Sequence, residues 1–292
     1  MSAPAIPAPV TARHDTVSVA RLARAELRWI FRRPRTLIVL GLLALIPVVV
    51  GVSLTLVDPT AAPEGAGPDG GGGSLFTAAV GNALVLPIAV LTVTLALLLP
   101  LATAMAGADA LAGETSHGTL RGWLIAPVSR GRLLAVKAFG VATVALTAVF
   151  VMALTAVVTG VVINGTGAMI TLSGTTLSLG GALGKIALAV GWVTLQLWAV
   201  GAVALAISAC TEHPMLVVVS VLAGTVMFQV LGLLDAVSWL HPFLLNESWT
   251  ALADVLRDPT PMDQLGEGAL RALCYIAVAM SLAYARISTR DG

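Results

Sequence analysis

The sequence predicts an all-α integral membrane protein of six transmembrane helices with both termini on the cytoplasmic side. Three observations carry that expectation. Hydrophobic residues make up 58% of the 292 positions and charged ones only 11%, against about a quarter in ordinary soluble domains. The apolar residues fall in runs of about 20 or more, the length an α-helix needs to cross roughly 30 Å of hydrocarbon. The basic residues gather in alternate connections. With the amino terminus inside, cytoplasmic segments hold thirteen of the 16 Lys and Arg, and only Lys185, Arg257 and Arg271 fall outside, the asymmetry of the positive-inside rule.

Residues 1–17 are rich in Ala and Pro without periodicity and read as a disordered tail. Residues 18–34 read as an amphipathic interfacial helix. Val19, Ala23, Leu27 and Ile30 share one face, and Arg21, Arg24, Arg28 and Arg32 form a stripe opposite, a pattern suited to an anionic leaflet. Glu26 falls inside the apolar face and is expected to meet protein rather than lipid. Pro34 stops this helix, and 36–57 supply the first span, too long and too late in the chain for a cleaved signal peptide.

Residues 35–292 form the six-span domain. Positions 58–74, with three acids and no Lys or Arg, read as a flexible outside loop. The run 75–108 is longer than one crossing and contains Asn82, Pro87 and Pro100, so the second span is expected to be kinked or tilted. A polar loop at 109–137 leads to a third span at 138–163. An uncharged Gly/Thr/Ser-rich outside loop follows, then spans at 186–209, 215–234 and 268–285. Before the last span, Trp249, Leu252, Ala253 and Leu256 recur at helical spacing behind the N-cap candidates Asn246 and Ser248. This predicts a short outer helix within 246–262, either resting on the lipid surface or dipping back against protein.

Several chemistries are excluded. The four histidines show no metal-ligand spacing, and Cys210 and Cys274 form no CxxC and are expected to be small apolar packers. GGALGK at 180–185 is one residue short of a phosphate loop and has Ile186 where a hydroxyl must reach magnesium. It reads as a helix start with close-packing glycines. No nucleophile constellation stands out, and the spans lack the paired carboxylates of an intramembrane protease or proton-driven carrier. The net charge of +1 gives no reason to invoke nucleic acid. Energy for any work is therefore expected from another chain.

That expectation turns attention to the loop 109–137. Glu114 follows the second span, and a short helix starting near Thr115 or Ser116 places Leu120, Trp123 and Leu124 on one small apolar face with Arg121 on another side. Pro127 ends it, and Ser129 can cap the next helix, whose Leu133, Leu134 and Lys137 lead into the third span. A rigid exposed helix carrying a tryptophan suits a groove on another protein. The alternative is a solvated loop whose Trp123 anchors at the interface. Among polar groups within spans, Asn82, Gln196 and Gln229 are the most deeply placed. Interhelical hydrogen bonding accounts for them, and a cargo path is the second reading.

The phrase ETSHGTLRGWLIAPVSRGRLLAVK at 114–137 and AELRWIFRRPRTL at 25–37 resemble the permease subunits of ABC-2 type ATP-binding-cassette transporters. The six spans and the outer helix fit the same family. The resemblance implies two permeases, identical or homologous, each resting a cytoplasmic coupling helix, here 114–126, on one of two ABC ATPase subunits. ATP and magnesium would bind in those partners, leaving this chain non-catalytic and without a cofactor. Glu114 and Arg121 match the family's acidic and GTLR positions and would transmit motion, with Leu120, Trp123 and Leu124 as the contact face. The interfacial helix, with Glu26, Arg28 and Arg32, would move with them. The implied activity is export of an apolar drug, antibiotic or lipid-like molecule across a bacterial cytoplasmic membrane. Fourteen Arg against two Lys hint at a GC-rich genome, where family members often export antibiotics. The alternatives are a channel or carrier that needs no ATPase, and a structural or sensory membrane subunit.

Overall fold

The structure, a computed structural model, describes residues 18–56, 73–79, 82–83, 85–116, 129–165, 169–171 and 173–289. The tail at 1–17 and the centre of the expected coupling helix, with Leu120, Arg121, Trp123 and Leu124, lie outside the described residues.

The chain is built of helices. In order they are α1 (Val19–Arg32), α2 (Pro34–Leu56), α3 (Gly73–Ala79), α4 (Val85–Leu95), α5 (Leu98–Ala110), α6 (Ala112–Ser116), α7 (Arg130–Asn164), α8 (Leu179–Cys210), α9 (Pro214–Gly232) and α10 (Met262–Thr289). Two 3₁₀ segments, Asp235–Phe243 and Leu245–Leu256, separate α9 from α10. Between α7 and α8 the chain makes a two-residue antiparallel pairing, Met169 with Leu177 and Ile170 with Thr176. Gly174, at φ +77°, turns that small hairpin in a region where a side chain would be strained.

Five helices, α2, α7, α8, α9 and α10, are long and apolar enough to cross a membrane. The pair α4 and α5 adds a sixth if it counts as one span, bent by 57°. The bend has a residue-level cause. Pro100 has no N–H to give to the carbonyl of Ala96, four residues back, so within a span that outward-facing carbonyl would meet hydrocarbon without a donor. The side-chain amide of Gln229 in α9 donates to it instead. A second break, at Leu111 between α5 and α6, is sealed similarly. The Ala112 N–H donates to the Ser208 hydroxyl at 2.8 Å, and that hydroxyl donates to the Ala108 carbonyl at 3.3 Å. Ser208 of α8 thus sits between two groups that an unbroken helix would join directly.

The most enclosed span is α8, and α2 is the least. Leu197, Ala199, Ala202 and Leu205 of α8 are fully buried, and α8 packs against α10, α5 and α7, while α2 and α4 pack on α7. The expected outer helix differs in type and length. It is the 3₁₀ segment Leu245–Leu256, and Met262 already opens α10. Leu244 holds the N-cap position, and Ser248, expected as a cap, donates its hydroxyl to the Leu245 carbonyl. Trp249, Leu252 and Leu256 are buried against α4, α8, α9 and α10, so this segment rests on protein. Its ends are stapled by side chains. Lys185 donates to the carbonyls of Val255 and Arg257, and Arg271 to that of Leu244.

Two further expectations change. Cys210 and Cys274 are exposed rather than packed inside the bundle, because each falls on a helix face turned away from the core. The 180–185 stretch does start a helix, with Ser178 accepting the Gly181 N–H. A Cβ at Gly184 would meet nothing within 4 Å in this chain, however, so that glycine makes no close helix contact here.

Candidate functional site

Charged side chains are expensive inside a membrane protein unless they meet one another, and here they converge at one end of the bundle. This basic end holds α1, α6, the start of α7 and the finish of α10. At the last of these, Arg130 donates to the carbonyls of Ile287 and Ser288, a cation on the terminal carbonyls of a helix.

The site is organised by Lys137, about two turns into α7. Its Nζ lies 3.0 Å from both carboxylate oxygens of Glu26 and donates to Oε1 of Glu114. The three side chains are at most 5% exposed. Glu26 comes from the centre of the apolar face of α1, where Leu22, Ala23, Leu27 and Ile30 are partly covered while Arg21, Arg24, Arg28 and Arg32 stay exposed. Close approach of α1 to α7 is allowed by Gly140, on the same face of α7 as Lys137. A Cβ there would lie 2.9 Å from Ile30 Cδ1 and 3.3 Å from Glu26 Cγ. Glu114 comes from α6, immediately before the segment 117–128.

Beside this network is a second one. Arg33 and Arg35 flank Pro34 at the elbow between α1 and α2, and both reach Asp109 in the last turn of α5. The N–O distances are 3.5 Å for Arg33 and 3.3 Å for Arg35. The Arg33 guanidinium also stacks 3.2 Å from the centroid of Trp29, and Lys137 lies 5.4 Å from the same ring, within the range of cation–π attraction. Burial draws the Arg33 guanidinium below its ordinary value against the pull of Asp109, Glu114 and Glu26, a shift that leaves an arginine charged. Five elements, α1, α2, α5, α6 and α7, are therefore joined by side-chain charge within one small volume.

Burial raises the Glu114 carboxyl above 4.5, Lys137 opposes that by charge and hydrogen bond, and Glu26 adds to it. A raised native value means the folded chain holds this proton more readily than the unfolded one. Its contribution to stability is greatest below 4.5 and is lost as pH climbs through the native value. Glu114→Gln should flatten the pH dependence of thermal stability above pH 4.5 without lowering stability at neutral pH. Melting curves in detergent from pH 4.5 upward check it.

Of the other sequence-derived candidates, Arg28 and Arg32 are exposed and make no part of either network. Gln196 is fully buried and donates to the Gly268 carbonyl at 3.0 Å. Gln229 is half-buried at the Ala96 carbonyl, and Asn82 is half-buried before α4. Both glutamines thus make interhelical hydrogen bonds. Two cavities stand out. One is lined by Glu26, Trp29, Arg33, Arg35, Asp109 and Lys137, with an apolar wall from α2, α5 and α7. Another lies among α8, α9, the 3₁₀ segment and α10 and is lined by Phe228, Trp249 and Tyr275. Asn82, Gln196 and Gln229 line neither.

Sequence reasoning found Glu26 and Glu114 but not their partner. Lys137 entered only as one basic residue of a loop, although its setting, AVKAFG at the head of an apolar run, marks a charge that needs a counter-ion. Asp109 and Ser208 carried no comparable signal.

A family model described as ABC-2 family transporter protein matches residues 20–291. No curated protein matches the chain.

Proposed function

The chain belongs to the ABC-2 transporter family, a multi-pass membrane protein and permease component, and from that premise we propose that it is the membrane half of an ATP-driven exporter. In this reading the basic end faces the cytoplasm of a bacterium, as the thirteen-to-three charge asymmetry favours. Two ABC ATPase subunits dock there on a pair of permeases, and this chain contributes motion and a pathway but no catalysis. The cargo is an apolar small molecule of drug, antibiotic or lipid-like character. What supports that choice is the lining of the cavity among α8, α9 and α10, where Phe228, Trp249, Tyr275, Val221 and Ile207 predominate.

The observation that carries the proposal is the place of the Glu26–Lys137–Glu114 network. Glu114 is the root of the 114–126 segment that would rest on the ATPase. Lys137 is the head of a 35-residue helix, and Glu26 lies on the interfacial helix. A push on the segment therefore reaches α1 and α7 through buried charge contacts. These neither stretch like a solvated loop nor dissociate cheaply.

Co-expression with a candidate ABC ATPase from the same genome tests the reading. The ATPase is expected to co-purify. Leu120→Ala with Trp123→Ala should weaken its binding by at least ~2 kcal/mol, roughly thirtyfold, as removal of a central tryptophan anchor does. Unchanged affinity in the double variant would remove 114–126 as the contact.

A further inference from the structure

The cleft at the basic end has two chemically distinct parts. Its mouth carries Trp29, Arg33, Arg35 and Asp109, and its depth is walled by Val39, Met105, Ala106 and Val144. The walls are α2 and α5, both packed on α7, which forms the floor. Across the mouth, the only ion pairs between the α1–α2 elbow and α5 among the described residues are those of Arg33 and Arg35 to Asp109. One carboxylate cannot satisfy two guanidinium forks with ten N–H donors between them. The arginines are the more exposed partners, 32% and 52% against 22% for Asp109, so the mouth presents two guanidiniums to one more covered carboxylate above an apolar slot. Deeper in, Lys137 is matched by Glu26 and Glu114, whose charge also reaches Arg33.

We propose that this cleft binds an acidic phospholipid, its phosphate on Arg33 and Arg35 and one acyl chain lying between α2 and α5. The inference rests on the reading that the basic end faces an anionic leaflet. Three features of the site favour that occupant. The phosphate of an acidic lipid is a bidentate acceptor for arginine. The exposed stripe Arg21, Arg24, Arg28 and Arg32 on α1 enriches acidic lipid beside the mouth. The slot below is apolar, walled by Val39, Met105, Ala106 and Val144. A bound phosphate competes with Asp109 for both guanidiniums, so occupancy loosens the tie between the elbow and α5. The lipid thereby sets how freely the first span moves against the second.

The test uses the full chain in phosphatidylcholine nanodiscs, with bromine on the acyl chains of either added phosphatidylglycerol or phosphatidylcholine itself. Bromine quenches nearby tryptophan. The share due to Trp29, one of six tryptophans, is read from the difference with Trp29→Phe. Brominated phosphatidylglycerol should quench Trp29 saturably and in preference to brominated phosphatidylcholine, by about fivefold for each cleft arginine. Arg33→Gln with Arg35→Gln should erase the preference, and Asp109→Asn should increase it. Ala106→Leu, which fills the slot and leaves every charge in place, should remove the saturable quenching. Equal quenching by the two lipids overturns the proposal. So does undiminished quenching in Ala106→Leu, or a preference lost as fully in Arg24→Gln with Arg28→Gln, which would mark diffuse attraction to α1. No ATPase enters this measurement, so its failure and a failure to co-purify the ATPase are separate results.

Discussion

Replacing Lys137 by Met is expected to cost about 3–5 kcal/mol of stability, the penalty for leaving buried charge without its partner. The reason is local. Glu26 and Glu114 meet the same ammonium, and without it two carboxylates, each at most 5% exposed, face each other. Neither can turn to solvent, because α1 is held down at Gly140 and α6 is pinned by the Ser208 bridge. A methionine of similar length fills the space, so the loss measures charge and not volume. Lowering pH should recover part of it, since protonation removes the repulsion that the variant creates. The triple variant Glu26→Gln, Glu114→Gln, Lys137→Met should regain most of it, as neutral replacement of whole ion networks generally does. Unfolding in mixed micelles, followed by helical signal against denaturing detergent, gives these differences.

The second large effect is steric. At Gly201 of α8, an added Cβ would sit 2.6 Å from Val141 Cγ1 and 3.0 Å from Thr103 Cγ2. Three helices, α5, α7 and α8, meet there, and both obstructing residues are β-branched and stiff. Gly201→Ala should therefore cost about 1–3 kcal/mol by overpacking, and Gly201→Leu more, with the helices forced apart. Gly191, on the same helix, is the control. A Cβ there meets nothing within 4 Å, so Gly191→Ala should be neutral or stabilising by up to ~1 kcal/mol through helix propensity. Thermal melting of the three variants in one detergent separates crowding from any general intolerance of α8 to substitution.

These two sites show which parts of the molecule were legible in the sequence. Periodicity exposed Glu26, because a carboxylate on the apolar face of an amphipathic helix contradicts its surroundings. The bend in the second span was legible from Pro100. In each case the chain announces a group that needs a partner without saying which one. Glu26 finds Lys137 111 residues away, and the Ala96 carbonyl finds Gln229 133 residues away. Such pairings depend on which helices become neighbours, and a membrane span's own pattern says little about that, since nearly every position is apolar. The same uniformity hid Gly201, one of 29 glycines; most of those the structure describes touch nothing comparable. It also hid the outer segment's course. Trp249, Leu252 and Leu256 suit a lipid surface and a protein groove equally well, and their burial comes from α4, α8, α9 and α10 together.

In the proposed function, Lys137 carries motion between the segment that would meet the ATPase and the spans, beyond holding the fold together. ATP turnover of the purified complex in nanodiscs measures this, comparing wild type with the neutral triple variant at matched yield, stoichiometry and thermal stability. A changed turnover is expected in the triple variant despite intact assembly, because the ATPases would then close against an interfacial helix and third span no longer tied to them by charge. Identical turnover at equal assembly would contradict it and leave the network a structural one.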